Sequence, residues 1–300
     1  MVSMNRLSPE KRTAVIAALV EGNSLRATCR MTGVAKNTVV KLLVDLGTVC
    51  SIEQDRRMRD LTCERIECDE IWAFVYSKQK NVPLEKRGEA GDVWTWVALD
   101  PDTKLVPTFH IGPRDMGSAH AFMHDLARRM RSRIQLTTDA FGPYLPAVRS
   151  AFGDDVDYAQ LVKTYGTDQD PRRPERRYSP SVCLGAAPMP VNGNPDADKI
   201  STSHIERLNL TMRMSMRRYT RLTNAFSKKV ENLTAAVSLH FMYYNFVRVH
   251  QSLKTTPAVA AGVTDHVWSL DELIGLLEEA EATPTKRGRY AKTRERSDSN

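Results

Sequence analysis

Three acidic residues in separate sequence contexts constrain how this chain can fold. Asp69 and Asp139 each follow an apolar, strand-like run, and Glu206 lies near the start of a basic, helix-forming segment. A buried carboxylate without a partner is heavily penalised, so two core strands that carry one each require a compensating cation. The three acids therefore predict a shared site for a divalent metal, and metal sites of this kind commonly act on phosphate.

The charge of the chain is compatible with a polyanionic partner. The 300 residues carry a formal net charge of +7, and the sequence pI is about 9.2. Arginine and lysine are concentrated in four clusters, within residues 128–133, 172–177, 213–229 and 286–296. Such clusters are typical of nucleic-acid-binding proteins, although any one of them is also compatible with a solvated helix face or tail.

Cysteine usage and hydropathy indicate the compartment. The five cysteines form no CxxC pair, which argues against a disulfide framework and favours a reducing environment. The sequence also has no secretory signal and no long uncharged apolar run. We therefore expect a cytoplasmic protein, associated with the nucleoid and without a membrane partner.

The N-terminal 50 residues predict a helix-turn-helix module. A small residue, Cys29, precedes the turn residue Gly33 by four positions, and the β-branched Val39 follows it by six. The small residue lets two helices approach, and the glycine accepts the backbone of the turn. The exposed side of the third helix would meet phosphates and base edges in a major groove through Lys36, Asn37, Thr38 and Lys41. An ordinary three-helix bundle is the alternative, and alanine at position 35, where a capping serine is expected, costs about 1 kcal/mol of helix stability.

The central region predicts an α/β domain. Strands are expected over residues 65–76, 93–99, 104–111, 134–138 and 157–163, with helices over 116–133 and 144–152. Three antiparallel strands, a helix, a further strand and a late helix bearing an acid form the order of the ribonuclease-H-like fold. Asp69 would lie on the first strand, Asp139 at the end of the fourth, and Glu206 on the closing helix.

The domain organisation follows from these elements. We predict a helix-turn-helix module over residues 1–50 and a charged linker over 51–64. A ribonuclease-H-like catalytic domain would span residues 65–250, with a proline- and glycine-rich loop or insertion at about 166–199. A C-terminal helical region, 251–283, would precede a basic, disordered tail, 284–300.

Each acid also has a structural alternative. Alternation along a strand implies that only one of Asp69 and Glu70 faces the site, and Asp69 is the favoured one. Asp139 could instead cap the short helix that follows it. Glu206 could complete a capping box with Ser203, in which the glutamate binds the backbone of its own helix.

These motifs resemble the insertion-sequence-1 type of DDE transposases. The resemblance extends over roughly residues 65–251 and is carried by Cys68-Asp69-Glu70-x-Trp72, Thr138-Asp139-x-x-x-Tyr144, His204-Ile205-Glu206-Arg207-x-Asn209-Leu210-x-x-Arg213 and Ser227-Lys228-x-Val230-Glu231. It implies a metal-binding catalytic triad of Asp69, Asp139 and Glu206 with Mg²⁺ or Mn²⁺. It also implies that Arg213 and His204 aid the binding of DNA. We further expect the basic residues Arg207, Arg217 and Lys228 to contact DNA.

The resemblance further implies a reaction. A DNA transposase of this type cleaves the ends of its element and uses the freed 3′-hydroxyl to attack target DNA, acting on double-stranded DNA as a homodimer or higher oligomer. Two other classes stay open on the sequence. A helix-turn-helix regulator would need no acids on two strands, and a ribonuclease-H-like nuclease without strand transfer would retain them.

Overall fold

The computed structural model describes residues 7–166, 183–220 and 224–282. Its first three helices are α1 (Pro9–Val20), α2 (Leu25–Thr32) and α3 (Lys36–Arg57). Serine side chains cap the first two helices, and Gly33 ends α2 with a left-handed φ of 69°. Helices therefore lie where the sequence predicts them, while the DNA-binding role of this segment stays a prediction.

Helix α3 is longer than the sequence predicts. It continues through the start of the expected linker, because Arg56 and Arg57 both pair with Glu53 one helical turn earlier. The charged composition that suggested a linker is thus that of a helix with internal ion pairs. The predicted boundary at residue 50 falls inside α3, and the division into domains stays a prediction.

One six-stranded mixed sheet forms the centre of the molecule. Its strands are β1 (Arg65–Val75), β2 (Gly91–Leu99), β3 (Phe109–Gly112), β4 (Ile134–Asp139), β5 (Val156–Tyr165) and β6 (Cys183–Asn192). They lie in the order β3-β2-β1-β4-β5-β6. β1 and β4 are parallel, as are β4 and β5, whereas the other neighbouring pairs are antiparallel. This order is consistent with a ribonuclease-H-like fold.

Six further α-helices follow in the part of the chain that the structure describes. They are α4 (Met116–Ala127), α5 (Tyr144–Phe152), α6 (Ser203–Ser215), α7 (Val230–Met242), α8 (Pro257–Ala260) and α9 (Leu270–Ala282). The fully buried ring of Trp96 contacts the buried rings of Phe122 and Tyr144, fixing α4 and α5 against β2. Helix α6 contacts β1, which carries the first acid.

Helix α7 lies directly against α3. A Cβ atom at Gly47 of α3 would be 2.3 Å from the carbonyl oxygen of Ala235 in α7, so the two helix backbones are in contact at this point. The N-terminal helices are therefore packed onto the rest of the molecule through α3. Within the described ranges, no helix is long and apolar enough to cross a membrane.

Three segments differ from the sequence expectations. The expected strand 104–111 is paired only from Phe109, and the expected helix 116–133 ends at Ala127. The segment 166–199, expected as a loop, contributes β6, which pairs with β5. Most side chains of this edge strand are exposed, so it lacks the alternating apolar pattern that identifies a half-buried strand. Residues 167–182 and the predicted basic tail lie outside the described residues.

Candidate active site

Two neighbouring parallel strands bring the first two acids together. The parallel pairing of β1 and β4 runs to Cys68 opposite Thr138, so Asp69 and Asp139 follow it side by side. Asp69, Glu70 and Asp139 each offer a carboxylate oxygen, and these atoms lie within 4.8 Å of one another. The structure thus brings Asp69 and Asp139 together at the sheet, and their catalytic role stays a prediction.

Glu70 also reaches this cluster, contrary to the expectation that strand alternation admits only one of the two neighbours. The Asp69 carboxylate accepts a hydrogen bond from Asn209 Nδ2 of α6 at 2.8 Å. The Glu70 carboxylate accepts one from Arg114 Nε at 3.0 Å. Different elements therefore hold the two side chains, and the longer glutamate extends far enough for one of its oxygens to join the cluster.

Asp139 is held by a turn and not as a helix cap. Its Oδ1 accepts a hydrogen bond from the Phe141 backbone N–H at 3.0 Å, whereas α5 begins at Tyr144 with no side-chain cap. Its other oxygen accepts a longer hydrogen bond, 3.3 Å, from the Arg114 guanidinium. Arg114 thus bridges Asp139 and Glu70 while its guanidinium stacks 3.8 Å from the centre of the Phe141 ring.

Burial raises the pKa of two acids of the cluster, Asp69 and Glu70. Burial, followed by the charge of Glu70, raises the pKa of Asp69 to about 7, and the Lys163 ammonium opposes this rise. Burial also raises the pKa of Glu70, against the opposing effects of Tyr144 and Arg114. The Glu70 Oε1 atom is buried and has no hydrogen bond of good geometry, although the Tyr144 hydroxyl lies close enough to lower the pKa of this carboxyl.

Glu206 borders this cluster without joining it. Its carboxylate accepts hydrogen bonds from the Lys163 ammonium and, at 2.7 Å, from the Thr202 hydroxyl. The same lysine is close enough to Asp69 to lower the pKa of that acid. On the same helix, Asn209 follows Glu206 by one turn and binds Asp69. Lys163 and Asn209 therefore connect Glu206 to the acids on the strands.

The capping box considered for Glu206 is not formed, because another acid caps α6. Glu67 is 3% exposed. Its Oε2 accepts the backbone N–H groups of His204 and Ile205, both at 3.0 Å. Its Oε1 lies 2.9 Å from His204 Nδ1. A carboxylate of β1 thus satisfies free N–H groups of the α6 terminus and fixes this helix to the strand that carries Asp69.

The donor set fits a hard divalent cation. The cluster offers carboxylate oxygens only, which favour Mg²⁺ or Mn²⁺ over softer metals. A cation would interact with the buried Oε1 of Glu70, which has no hydrogen bond of good geometry. It would also offset the unfavourable charge that raises the pKa of Asp69. Arg114 supplies positive charge beside Glu70 and Asp139, and Lys163 supplies it beside Glu206.

The predicted DNA-contacting residues fall into two groups. Lys36, Asn37, Arg217 and Lys228 line one cavity. The other four, Thr38, Lys41, Arg207 and Arg213, do not line it, and Lys41 forms an ion pair with Asp45. The sequence analysis assigned no role to Arg114, Lys163 or Glu67. Glu67 could have been found from its spacing, because it precedes Asp69 by two positions and so shares its strand face.

Comparisons with known proteins give weak structural likenesses. No protein-family profile matches the chain, and no curated protein matches it. A cryo-EM structure of the piggyBac transposase synaptic complex with hairpin DNA is similar over 96% of this chain and 76% of that chain, at 9% identity and a TM-score of 0.45. The crystal structure of the Mos1 strand transfer complex is similar over 52% of this chain and 60% of that chain, at 15% identity and a TM-score of 0.23. Scores this low assign neither the fold nor the activity.

Proposed function

We propose that this chain is a DDE-type DNA transposase, which cleaves phosphodiester bonds at the ends of a mobile element and joins the freed 3′-hydroxyl to target DNA. The observation that carries the proposal is the convergence of Asp69, Glu70 and Asp139 from adjacent parallel strands, with oxygens within 4.8 Å of one another. Partly buried carboxylates at such short range are unfavourable unless a cation offsets their charge.

The metal ligands would be Asp69 and Asp139 from the sheet, with Glu206 from α6 as the third acid. A bound Mg²⁺ or Mn²⁺ would activate the attacking oxygen and stabilise the leaving one. The chain's own cations would bind and orient the phosphate, since Arg114 contacts Glu70 and Lys163 contacts Glu206. Asn209 and Glu67 would hold α6, and hence Glu206, in position.

Double-stranded DNA would be the partner, both as element ends and as target. Action on two ends of one element requires at least two active sites at the same place, so we propose a homodimer or a higher oligomer on DNA. The working compartment would be the cytoplasm, in association with the nucleoid. The net charge of +7 supports binding to a polyanion.

The proposal is tested by mobility in cells. A selectable marker flanked by the DNA that borders this gene is supplied together with either the native chain or Asp139→Asn, and movement of the marker is scored. The proposal expects movement with the native chain and none with the variant, because the amide cannot supply the negative charge that holds the metal. Arg149→Ala, which removes an exposed charge on α5, is the matched control and should move the marker as the native chain does.

Three results would contradict the proposal. Equal movement with the native chain and Asp139→Asn would remove Asp139 from the catalytic site. If neither moves the marker and both bind the DNA ends with equal affinity, the regulator becomes the better account. Cleavage of the ends without joining would favour the ribonuclease-H-like nuclease.

A further inference from the structure

A cleft separates the N-terminal helices from the segment that follows α6. Its volume is about 660 Å³, and it lies between α1, α2 and the start of α3 on one side and the residues after α6 on the other, with α7 at its floor. It is distinct from the acidic cluster, since Asp69, Glu70, Asp139 and Glu206 are not among its lining residues.

The charges around this cleft all have one sign. Among the described residues that line it, five are cationic, namely Arg26, Lys36, Arg217, Arg218 and Lys228, and none is acidic. Four of these side chains belong to exposed residues at the mouth, whereas Arg218 is partly buried. A concave surface lined by charges of one sign concentrates the field and attracts an oppositely charged ligand. The cleft therefore selects for an anion.

Arg218 shows that this charge is not neutralised by the protein. Its Nε donates a hydrogen bond to the Ser227 hydroxyl at 2.9 Å. No carboxylate of the described residues lies within ion-pair distance of its guanidinium. Removal from solvent lowers the pKa of Arg218 to about 10. An arginine that is withdrawn from water without a carboxylate partner is unfavourable unless an external anion completes its interactions.

The imidazole of His240 is a second group in the cleft whose hydrogen bonding is incomplete. His240 is 4% exposed and lines the cleft, and its Nε2 has no hydrogen-bond partner. Burial lowers the pKa of this imidazole to about 4, so the ring is neutral at physiological pH. A neutral imidazole can still donate one N–H, and a ligand oxygen would satisfy it.

The start of α3 adds a third contribution. Ala35 at its N-cap provides no side-chain acceptor, and Lys36 and Asn37 of the first turn line the cleft. The first backbone N–H groups of the helix are therefore uncapped by any side chain beside this cationic surface. Helix N-termini of this kind favour phosphate groups.

We propose that this cleft binds the sugar-phosphate backbone of the DNA that the acidic site processes, with Lys36, Arg217 and Arg218 contacting phosphates. This inference rests on the proposed function for the identity of its ligand. It goes beyond the contacts expected of a helix-turn-helix alone, because it places Lys36, Arg217 and Arg218 on one surface that binds the DNA backbone. DNA held here would contact both the N-terminal helices and the segment that leads out of α6, the helix that carries Glu206.

The test is the salt dependence of DNA binding. Affinity for a 30-base-pair duplex is measured by fluorescence anisotropy in EDTA across a salt series, for the native chain, Lys36→Ala, Arg217→Ala and Arg218→Met. Loss of one phosphate contact lowers the slope of log affinity against log salt by about 1, so we expect about a fourfold smaller loss of affinity over a fourfold rise in salt. A duplex of unrelated sequence should give the same change. Arg149→Ala is the matched control and should keep the native slope.

The outcomes separate this inference from the proposed function. If Lys36→Ala and Arg217→Ala leave the slope of log affinity against log salt unchanged, the cleft does not bind the DNA backbone. This conclusion holds whatever Asp139→Asn does to marker movement. Arg218→Met is interpreted only if its thermal unfolding curve stays cooperative, and the two surface variants decide the matter if it does not. A rise in melting temperature of the native chain with inorganic phosphate, combined with unchanged DNA slopes, would mean that the cleft takes a small anion, which would also overturn the proposal.

Discussion

At the scale of single residues, Asp69 combines burial with two negatively charged neighbours. Its pKa of about 7 reflects removal from solvent first and the Glu70 charge second. The unfolded chain releases this proton near pH 4. The folded chain therefore binds more protons than the unfolded chain between about pH 4 and pH 7, and stability falls as the pH rises through that range.

Asp69→Asn should therefore stabilise the protein at high pH. In a buffer at pH 8 with a chelator, we expect the free energy of unfolding to rise by about 1–3 kcal/mol, because the amide carries no charge to bury. The unpartnered Asn209 Oδ1 could accept a hydrogen bond from the new amide after a flip of the Asn209 side chain. Urea unfolding of the native chain and of Asp69→Asn at pH 8 and pH 5 measures the change in the free energy of unfolding. A destabilised variant at pH 8, or a gain that is larger at pH 5, would contradict it.

Glu70 and Glu206 compete for the role of third acid. Glu70 is held by Arg114 inside the cluster, and Glu206 is held by Lys163 at its edge. If Glu206 is the ligand, Glu206→Gln should reduce DNA cleavage by more than about 100-fold and Glu70→Gln by about 10-fold, the range typical of groups that orient a ligand. Single-turnover cleavage rates in Mg²⁺ decide between them. The reverse order would make Glu70 the ligand.

The sequence predicted the acids of this site better than their partners. Asp69 and Asp139 could be found because a carboxylate on an apolar strand is conspicuous. Arg114 and Lys163 could not, because an arginine in a loop and a lysine near a strand end are common on any surface. Lys163 reaches the acids because β5 pairs with β4, and Arg114 reaches them from the loop after β3, so only the folded sheet places these cations at the site.

At the scale of elements, the position of α6 depends on Glu67. This buried carboxylate accepts the N–H groups of His204 and Ile205 and so ties the helix terminus to β1. Glu67→Ala removes the cap and leaves buried N–H groups without an acceptor. We expect a loss of about 1–3 kcal/mol in the free energy of unfolding and a reduced cleavage rate.

The control for this prediction is Glu64→Ala, since Glu64 is exposed and its side chain caps no helix. Urea unfolding and cleavage assays of both variants make the comparison. If both variants lose the same stability, the cap is not what stabilises α6. A Glu67→Ala chain that unfolds earlier but cleaves at the native rate would show that α6 is positioned by other contacts.

Helices and strands were predictable where the pattern of apolar residues in the sequence matches the period of the element that forms. Helix α5 was predicted with its observed bounds, Tyr144–Phe152, and β1 to within one residue. Strand β6 was missed because it carries Pro188 and Pro190 on an exposed edge, where no apolar alternation is required. The full length of α3 was missed because charged residues that pair along a helix resemble a polar linker in composition.

At the scale of the whole molecule, the contact between α3 and α7 joins the N-terminal helices to the core. Gly47 permits it, since a Cβ atom there would lie 2.3 Å from the Ala235 carbonyl oxygen. Alanine is more favourable than glycine within a helix by about 1 kcal/mol. The added methyl group would, however, overlap with the backbone of α7 and force the two helices apart, and overpacking of this kind costs about 1–3 kcal/mol or more. Gly47→Ala should therefore lower the free energy of unfolding by about 2 kcal/mol in spite of its better helix propensity.

A second glycine gives the matched control. Gly275 lies within α9, and a Cβ atom there would meet no heavy atom within 4 Å. Gly275→Ala should raise the free energy of unfolding by about 0.5–1 kcal/mol, because only helix propensity changes. Urea unfolding of both variants gives the comparison, and a stabilised Gly47→Ala chain would mean that the two helices do not pack this closely.

The most direct test of the central claim is strand transfer by the purified chain. End-labelled duplexes carrying the DNA that borders the gene are incubated with a target plasmid in Mg²⁺, with the native chain or with Asp139→Asn, and the products are separated on a gel. If the acidic cluster is the metal site of a transposase, the native chain should join labelled ends to the plasmid. No joined product should form with Asp139→Asn or in EDTA. Joined products that persist in Asp139→Asn or in EDTA would contradict the account.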